Sequence, residues 1–164
     1  MSYRRQHILC DIPIRDALHK AIKDTQLKYP FKIDAWVLLP DHLHCIWTLP
    51  EGDVEFSKRW SLIKRKVSIV CADQYKKGKW LTASRKKHRE STIWQRRFWE
   101  HQIRDQDDFN RHLDYIHYNP VKHGLCVRPI DWVYSTFHRY VKEGRYPVDW
   151  AVQDVSFSDG GFGE

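Results

Sequence analysis

The 164-residue sequence lacks several features that would each define a class of protein. No apolar run approaches the roughly 20 residues of a membrane-spanning helix, and the first residues contain no apolar signal-peptide core. None of the four cysteines belongs to a C-x-x-C pair, which argues against a zinc knuckle. The seven glycines form no glycine-rich phosphate-binding loop. We therefore expect a cytoplasmic protein with free thiols.

Apolar and aromatic residues are abundant enough for a folded protein. Hydrophobic residues make up 41% of the chain and aromatic residues 14%, including eight tryptophans. A chain of this length can bury an adequate core within one domain. We expect a single domain over residues 1–150 and a flexible C-terminal tail over residues 151–164.

Positive charge is concentrated in one quarter of the chain. Residues 58–97 contain 14 Lys and Arg residues and two acidic residues, a net charge of +12, whereas the remainder carries −5. Tryptophans lie among these basic residues, and bases stack on aromatic rings while Lys and Arg neutralise phosphates. The segment therefore predicts nucleic-acid binding, with a solvated charged surface as the alternative. The candidate contacts are Arg4, Arg5, Lys64, Arg65, Arg85, Lys86, Lys87, Arg89, Arg96, Arg97 and Lys122.

The spacing of apolar residues predicts four helices. They lie near residues 13–28, 54–75, 105–120 and 131–140. Asp105 or Asp107 is the expected cap of the third helix, and Pro120 is expected to end or kink it. The basic stretch between the second and third helices has little periodicity over residues 76–92, which predicts a mobile loop.

Three short stretches predict β-strands. Residues 32–39 and 42–49 are joined by the turn-forming pair Pro40-Asp41, and residues 97–103 form a third candidate. Without the last short helix, the resulting order is helix, strand, strand, helix, strand, helix. It predicts an α+β fold with a central antiparallel sheet and helices packed on it.

The most informative stretch is His42-Leu43-His44, at the start of the second predicted strand. Side chains alternate along a strand, so both imidazoles should project to one side, where they can bind one divalent ion. Tyr115 and Asn119 are four residues apart and hence neighbours on one helix face. Together they predict a metal-assisted tyrosine nucleophile. The alternatives are two histidines on a solvated face and a buried structural tyrosine.

Three motifs in this order resemble those of the REP-associated tyrosine transposases, a group of single-tyrosine HUH transposases. The motifs are LPDHLHCIW at residues 39–47, IWQRRFWEH at 93–101 and DYIHYNPVKHG at 114–124. The resemblance extends from about residue 30 to residue 150. It implies an HUH nuclease-like fold with a ferredoxin/RRM-like core. It also implies a single-strand DNA endonuclease and strand transferase that forms a 5′-phosphotyrosine on hairpins of repetitive extragenic palindromes.

The resemblance also implies roles for individual residues. Tyr115 matches the nucleophile, and Tyr118 is the weaker candidate. His42, His44 and Asn119 match the ligands of a divalent ion, expected to be Mg²⁺ or Mn²⁺, although imidazole pairs also attract Zn²⁺ and Ni²⁺. We expect a nucleoid-associated monomer with a self-contained site.

The N-terminus departs from the family pattern, which favours the first of two alternatives to an active nuclease. In the family a Gly-Gly-aromatic stretch and an apolar strand follow the Tyr-Arg-Arg start, whereas here Tyr3-Arg4-Arg5 is followed almost directly by the Pro13 helix. The first alternative is a catalytically inactive DNA-binding protein on the same fold. The second is a zinc hydrolase that uses His42, His44 and His117 with water as its nucleophile.

Overall fold

The computed structural model describes residues 1–88, 90–96 and 98–151. Its regular elements are α1 (Ile12–Lys28), β1 (Lys32–Leu38), β2 (Leu43–Thr48), α2 (Phe56–Val70), α3 (Ala72–Tyr75), α4 (Ala83–Lys87), α5 (Gln106–Lys122) and α6 (Phe137–Lys142). Strands β1 and β2 form a two-stranded antiparallel sheet. The predicted α+β class is therefore confirmed. No helix in the described ranges has the length and apolar character needed to cross a membrane.

The described residues group into two compact units. The first unit consists of residues 1–32, 40–42 and 48–98, and the second begins with 33–39 and 43–47 and continues from residue 99. In the first unit α1 packs on α2. Apolar side chains at helical spacing are buried there, as the sequence predicts: Ile14, Ala17, Leu18, Ala21 and Ile22 on α1, with Ile63 and Val67 on α2.

A buried arginine links the start of α2 to the chain that precedes β1. The Arg59 side chain is 1% exposed, and its Nη1 and Nη2 donate to the Asp53 carboxylate at 3.0 and 2.6 Å. The same guanidinium donates to the backbone carbonyls of Tyr29 and Pro30 at 3.3 and 3.0 Å. Arg59 belongs to the basic segment of the sequence, but its burial gives it a structural role.

Replacing Arg59 with Met is expected to lower the free energy of unfolding by about 3 kcal/mol, because it removes the guanidinium that pairs with Asp53 and donates to two carbonyls. Lys58→Met is the matched control, since its pair with Glu55 is exposed and we expect a change within about 0.5 kcal/mol. Urea titration followed by circular dichroism measures both. Equal losses in the two variants would contradict the role of Arg59.

The second unit has its own apolar core. Side chains of β1, β2, α5 and α6 form it, together with Tyr146: Ala35, Val37, Leu39, Ile46, Leu113, Ile116, Phe137, Tyr140 and Tyr146. A segment before α6 pairs with the second edge of β1. The Leu38 N–H donates to the Tyr134 carbonyl at 2.9 Å, and the Thr136 N–H donates to the Trp36 carbonyl at 2.9 Å.

The prediction of a third strand over residues 97–103 is wrong for the residues of this range that the structure describes. Residues 98–103 are in no strand. Edge pairing with β1 is provided instead by the residues around Ser135, through a single bridge to Val37. Because one bridge does not need a run of alternating apolar residues, the sequence pattern could not reveal it.

Three other boundaries differ from the expectations. The basic stretch predicted to be a mobile loop contains the short helix α4, which begins where the Thr82 hydroxyl accepts from the Arg85 N–H at 3.3 Å. Helix α5 begins after its cap Asp105, as predicted, but continues through Pro120 to Lys122. The prediction for residues 131–140 is only partly right, since α6 begins at Phe137 after a 3₁₀ turn. Most of the predicted tail, residues 152–164, lies outside the described residues.

Candidate active site

His42 lies in the turn immediately before β2, not within the strand as predicted. It is 3% exposed, and its Nδ1 donates to Asp41 Oδ1 at 2.6 Å. The other oxygen of the same carboxylate, Oδ2, accepts from Arg5 Nε at 2.7 Å. Burial alone would raise the pKa of the Asp41 carboxyl, but the hydrogen bonds and charges of His42 and Arg5 outweigh burial and lower it. Asp41 is therefore an ionised partner for His42 near neutral pH.

His44 lies on β2 and contacts the tyrosine predicted to be the nucleophile. The rings of His44 and Tyr115 meet edge to face, with centroids 5.5 Å apart and planes at 84°. Tyr115 is 3% exposed, and Asn119, one helical turn further along α5, is fully buried. Lys122 Nζ donates to Tyr115 Oη at 3.4 Å.

His117, the third ligand of the zinc-hydrolase alternative, is buried in the core of the second unit. Its ring packs against Phe137, Tyr140 and Tyr146, and its Nε2 pairs with Thr136 Oγ1 at 3.0 Å. Burial, reinforced by two nearby arginines, lowers the pKa of His117 to about 3. A neutral imidazole can bind zinc, but the His117 ring is packed among aromatic side chains with Nε2 paired to Thr136, and this packing weighs against a water-activating zinc site built on it.

A second histidine cluster, which the sequence analysis missed, lies at the start of α5. One ligand atom from each of His101, Asp108 and His112 lies within 4.8 Å of the others, a spacing that could hold a metal ion. The Asp108 carboxylate already accepts from His101 Nε2 at 2.7 Å and from the Arg104 N–H at 3.0 Å, and Arg111 lies 3.5 Å away. The Arg104 guanidinium also lies 3.4 Å from this carboxylate, so two guanidinium groups flank it and reduce its attraction for a cation.

The predicted DNA contacts differ in how far the fold leaves them accessible. Arg4, Arg65, Lys86 and Lys87 are exposed, and Arg96 is exposed with an ion pair to Glu90. Arg89 and Arg97 lie outside the described residues.

Four of these predicted contacts bond within the protein: Arg5 pairs with Asp41 and Lys122 with Tyr115, although both residues are exposed, and the other two are more buried. Arg85 is 8% exposed, with its guanidinium 3.7 Å from the Tyr3 ring centroid and Nη1 donating to the Ser91 carbonyl at 2.5 Å. Lys64 donates to the Gln95 carbonyl at 3.0 Å, and burial lowers the pKa of its ammonium group. Arg85 and Lys64 therefore stabilise the structure beneath the basic surface, and their charges are less accessible to DNA than those of the exposed residues.

Aromatic rings lie among basic side chains in the first unit, as the sequence suggests. Tyr3 and Trp80 meet edge to face at 6.0 Å, and Lys77 Nζ lies 4.6 Å from the Trp80 centroid. The Arg4 guanidinium lies 5.4 Å from the same ring. Such a cluster presents both stacking faces and positive charge to a nucleic acid.

The chain as a whole matches a family of DNA-cleaving enzymes. The chain belongs to the family described as "Transposase IS200 like", whose model matches residues 1–119. Within it the chain belongs to the REP-associated tyrosine transposases, which are enzymes that cleave DNA.

Two relatives and one solved structure support this membership. The chain is 46% identical over 147 residues to the REP-associated tyrosine transposase of Escherichia coli K12, covering 90% of this chain and 76% of the relative. It is 48% identical over 130 residues to a putative REP-associated tyrosine transposase of Haemophilus influenzae, covering 79% and 72%. A solved REP-associated tyrosine transposase bound to a REP hairpin matches with a TM-score of 0.75 at 44% identity, covering 98% of this chain and 84% of that one.

Proposed function

We propose that this chain is a metal-dependent single-strand DNA endonuclease and strand transferase that acts on REP-type hairpins. The observation that carries the proposal is the environment of Tyr115, whose ring contacts His44 while its hydroxyl accepts from Lys122. The solved relative bound to a REP hairpin supports the choice of substrate. As a protein of chromosomal palindromes, it would work at the nucleoid, and we propose that it acts as a monomer.

Tyr115 is the proposed nucleophile. A phenol has a pKa near ~10 and is mostly protonated at neutral pH, so it needs help to attack. The Lys122 ammonium donates to Tyr115 Oη at 3.4 Å, and its positive charge would stabilise negative charge around that oxygen in the transition state. Attack of Tyr115 Oη on phosphorus forms a phosphotyrosine bond and breaks the bond to the 3′ oxygen. The products are a 5′-phosphotyrosine and a 3′-hydroxyl, which retain the energy for rejoining.

His42, His44 and Asn119 are the proposed metal ligands. Their imidazole nitrogens and amide oxygen suit a divalent ion such as Mg²⁺ or Mn²⁺. The hydrogen bond from His42 Nδ1 to Asp41 fits this role, because it leaves Nε2 as the coordinating atom. A bound ion would polarise the phosphate and stabilise charge in the transition state.

A covalent-adduct assay tests the proposal. The full chain is incubated with a labelled REP-type hairpin carrying a single-stranded flank, in Mg²⁺ or Mn²⁺, and resolved under denaturing conditions. We expect a protein–DNA band that proteolysis removes. Hairpin binding without an adduct in either metal would instead support the alternative of a catalytically inactive DNA-binding protein.

The exposed basic residues should set the salt dependence of DNA binding. For the double variant Lys86→Ala and Lys87→Ala, we expect the log–log slope of affinity against salt to fall by about 1.4 to 1.8, which is about 0.7 to 0.9 for each lost phosphate contact. Fluorescence anisotropy of a hairpin at several salt concentrations measures the slope.

The matched control removes the same charge from an exposed face of α1. Lys20→Ala with Lys23→Ala should leave the slope close to that of the parent, since both residues lie outside the basic segment. Equal slopes for the parent and the Lys86/Lys87 variant would mean that α4 is an ordinary solvated surface and does not contact the DNA.

A further inference from the structure

The N-terminal segment, residues 1–9, is bonded to the turn that carries His42. The Ser2 N–H donates to the Asp41 carbonyl at 2.7 Å, and the Leu9 N–H donates to the Pro40 carbonyl at 2.8 Å. Between these two anchors Arg5 Nε reaches Asp41 Oδ2 at 2.7 Å. The segment therefore holds both the backbone and the carboxylate of the turn.

The backbone at Arg5 is in an uncommon conformation that its neighbours maintain. Arg4 and Arg5 have φ values of 59° and 52°, in the left-handed region that non-glycine residues rarely adopt. The Gln6 side chain spans the bend, since its Nε2 donates to the carbonyls of Tyr3 and Thr92 at 2.9 and 3.0 Å. The Ser2 hydroxyl donates to the Gln6 carbonyl at 2.8 Å. These bonds direct the Arg5 guanidinium toward Asp41.

The two oxygens of the Asp41 carboxylate bind two different side chains. Oδ2 accepts from Arg5, and Oδ1 accepts from His42 Nδ1 at 2.6 Å. A carboxylate bound to one nitrogen of an imidazole fixes both the tautomer and the ring orientation, which leaves the other nitrogen ready to bind a metal. Since Arg5 holds the carboxylate in turn, the chain of contacts runs from the N-terminal segment to His42 Nε2.

We infer that Asp41 and Arg5 are positioning residues that orient His42 toward a divalent ion. The inference rests on the proposed function, which makes His42 a metal ligand.

Binding of Mn²⁺ alone, measured by electron paramagnetic resonance on the full chain without DNA, tests the inference. For Asp41→Asn we expect Mn²⁺ affinity to fall about 10-fold to 100-fold. Asp24→Asn is the matched control, because Asp24 pairs with Lys66 at the surface and its replacement should leave the affinity unchanged.

Variants of the neighbouring residues Arg4 and Arg5 distinguish a role in orienting the metal ligand from a role in DNA contact. Arg5→Gln should weaken Mn²⁺ binding in the same direction as Asp41→Asn. Arg4→Gln should leave Mn²⁺ binding unchanged and lower only hairpin affinity, because its guanidinium lies against Trp80. If Asp41→Asn does not fold, judged by thermal unfolding, Arg5→Gln decides the question.

Nitrogen-15 NMR of the histidine rings gives a second measurement that a purely structural role would not move. We expect the His42 ring to carry its proton on Nδ1 in the parent and to become a mixture of tautomers in Asp41→Asn. His42→Ala separates a failure of the proposed metal site from a failure of the positioning role of Asp41 and Arg5. If it binds Mn²⁺ like the parent, the proposed metal site is wrong. If it loses Mn²⁺ while Asp41→Asn and Arg5→Gln bind like the parent, only the positioning role is overturned.

Discussion

Replacing Tyr115 with Phe is expected to abolish both DNA cleavage and the covalent adduct while hairpin binding persists. The change removes one oxygen, and the apolar ring still packs edge to face against His44. Loss of a nucleophile costs on the order of 10⁴-fold or more in rate in other enzymes that use covalent catalysis. Denaturing gels measure the adduct, and anisotropy of the same hairpin measures binding.

Tyr118→Phe is the matched control for this prediction. Tyr118 is half-buried on the same helix, and removal of its hydroxyl should leave cleavage intact. If Tyr118→Phe abolishes the adduct and Tyr115→Phe does not, the nucleophile has been assigned to the wrong tyrosine. Should both variants form adducts at the parent rate, the tyrosine mechanism itself would be excluded.

The second large effect is expected at the two histidines. His42→Ala or His44→Ala should lower the cleavage rate by at least about 10²-fold to 10³-fold, because each removes a ligand and with it the stabilisation of transition-state charge. Unlike Tyr115→Phe, each should also lose Mn²⁺ binding. Single-turnover cleavage over a range of Mn²⁺ concentrations, beside direct Mn²⁺ titration, distinguishes the two kinds of variant.

The control for the histidines is His19→Ala, an exposed imidazole on α1 that should change neither measurement. The outcome that would contradict the metal assignment is Mn²⁺-dependent cleavage by His42→Ala or His44→Ala at the parent rate. In that case the cluster of His101, Asp108 and His112 becomes the next place to search for the ion.

Local patterns predicted the elements whose signals lie within a few residues of one another. Helix α1 follows from apolar spacing after Pro13, and α5 begins at its cap Asp105. The hairpin of β1 and β2 follows from two apolar runs around Pro40-Asp41. Helix α4 was not predicted. It begins at the Thr82 cap, and its Arg85 packs against the Tyr3 ring, which is distant in the sequence.

The α+β class, the hairpin and the motifs that identify the family could all be predicted from the amino-acid sequence, because each depends on residues that are close together in the chain. The surroundings of those motifs depend on tertiary contacts and could not. Asp41 reads as a turn residue in the sequence, yet its carboxylate joins His42 to Arg5, 36 positions away. Arg59 and Arg85 read as surface charges but are buried against carbonyls and a ring. The physical reason is that burial and hydrogen-bond partners arise from long-range packing, which residue type and local spacing do not encode.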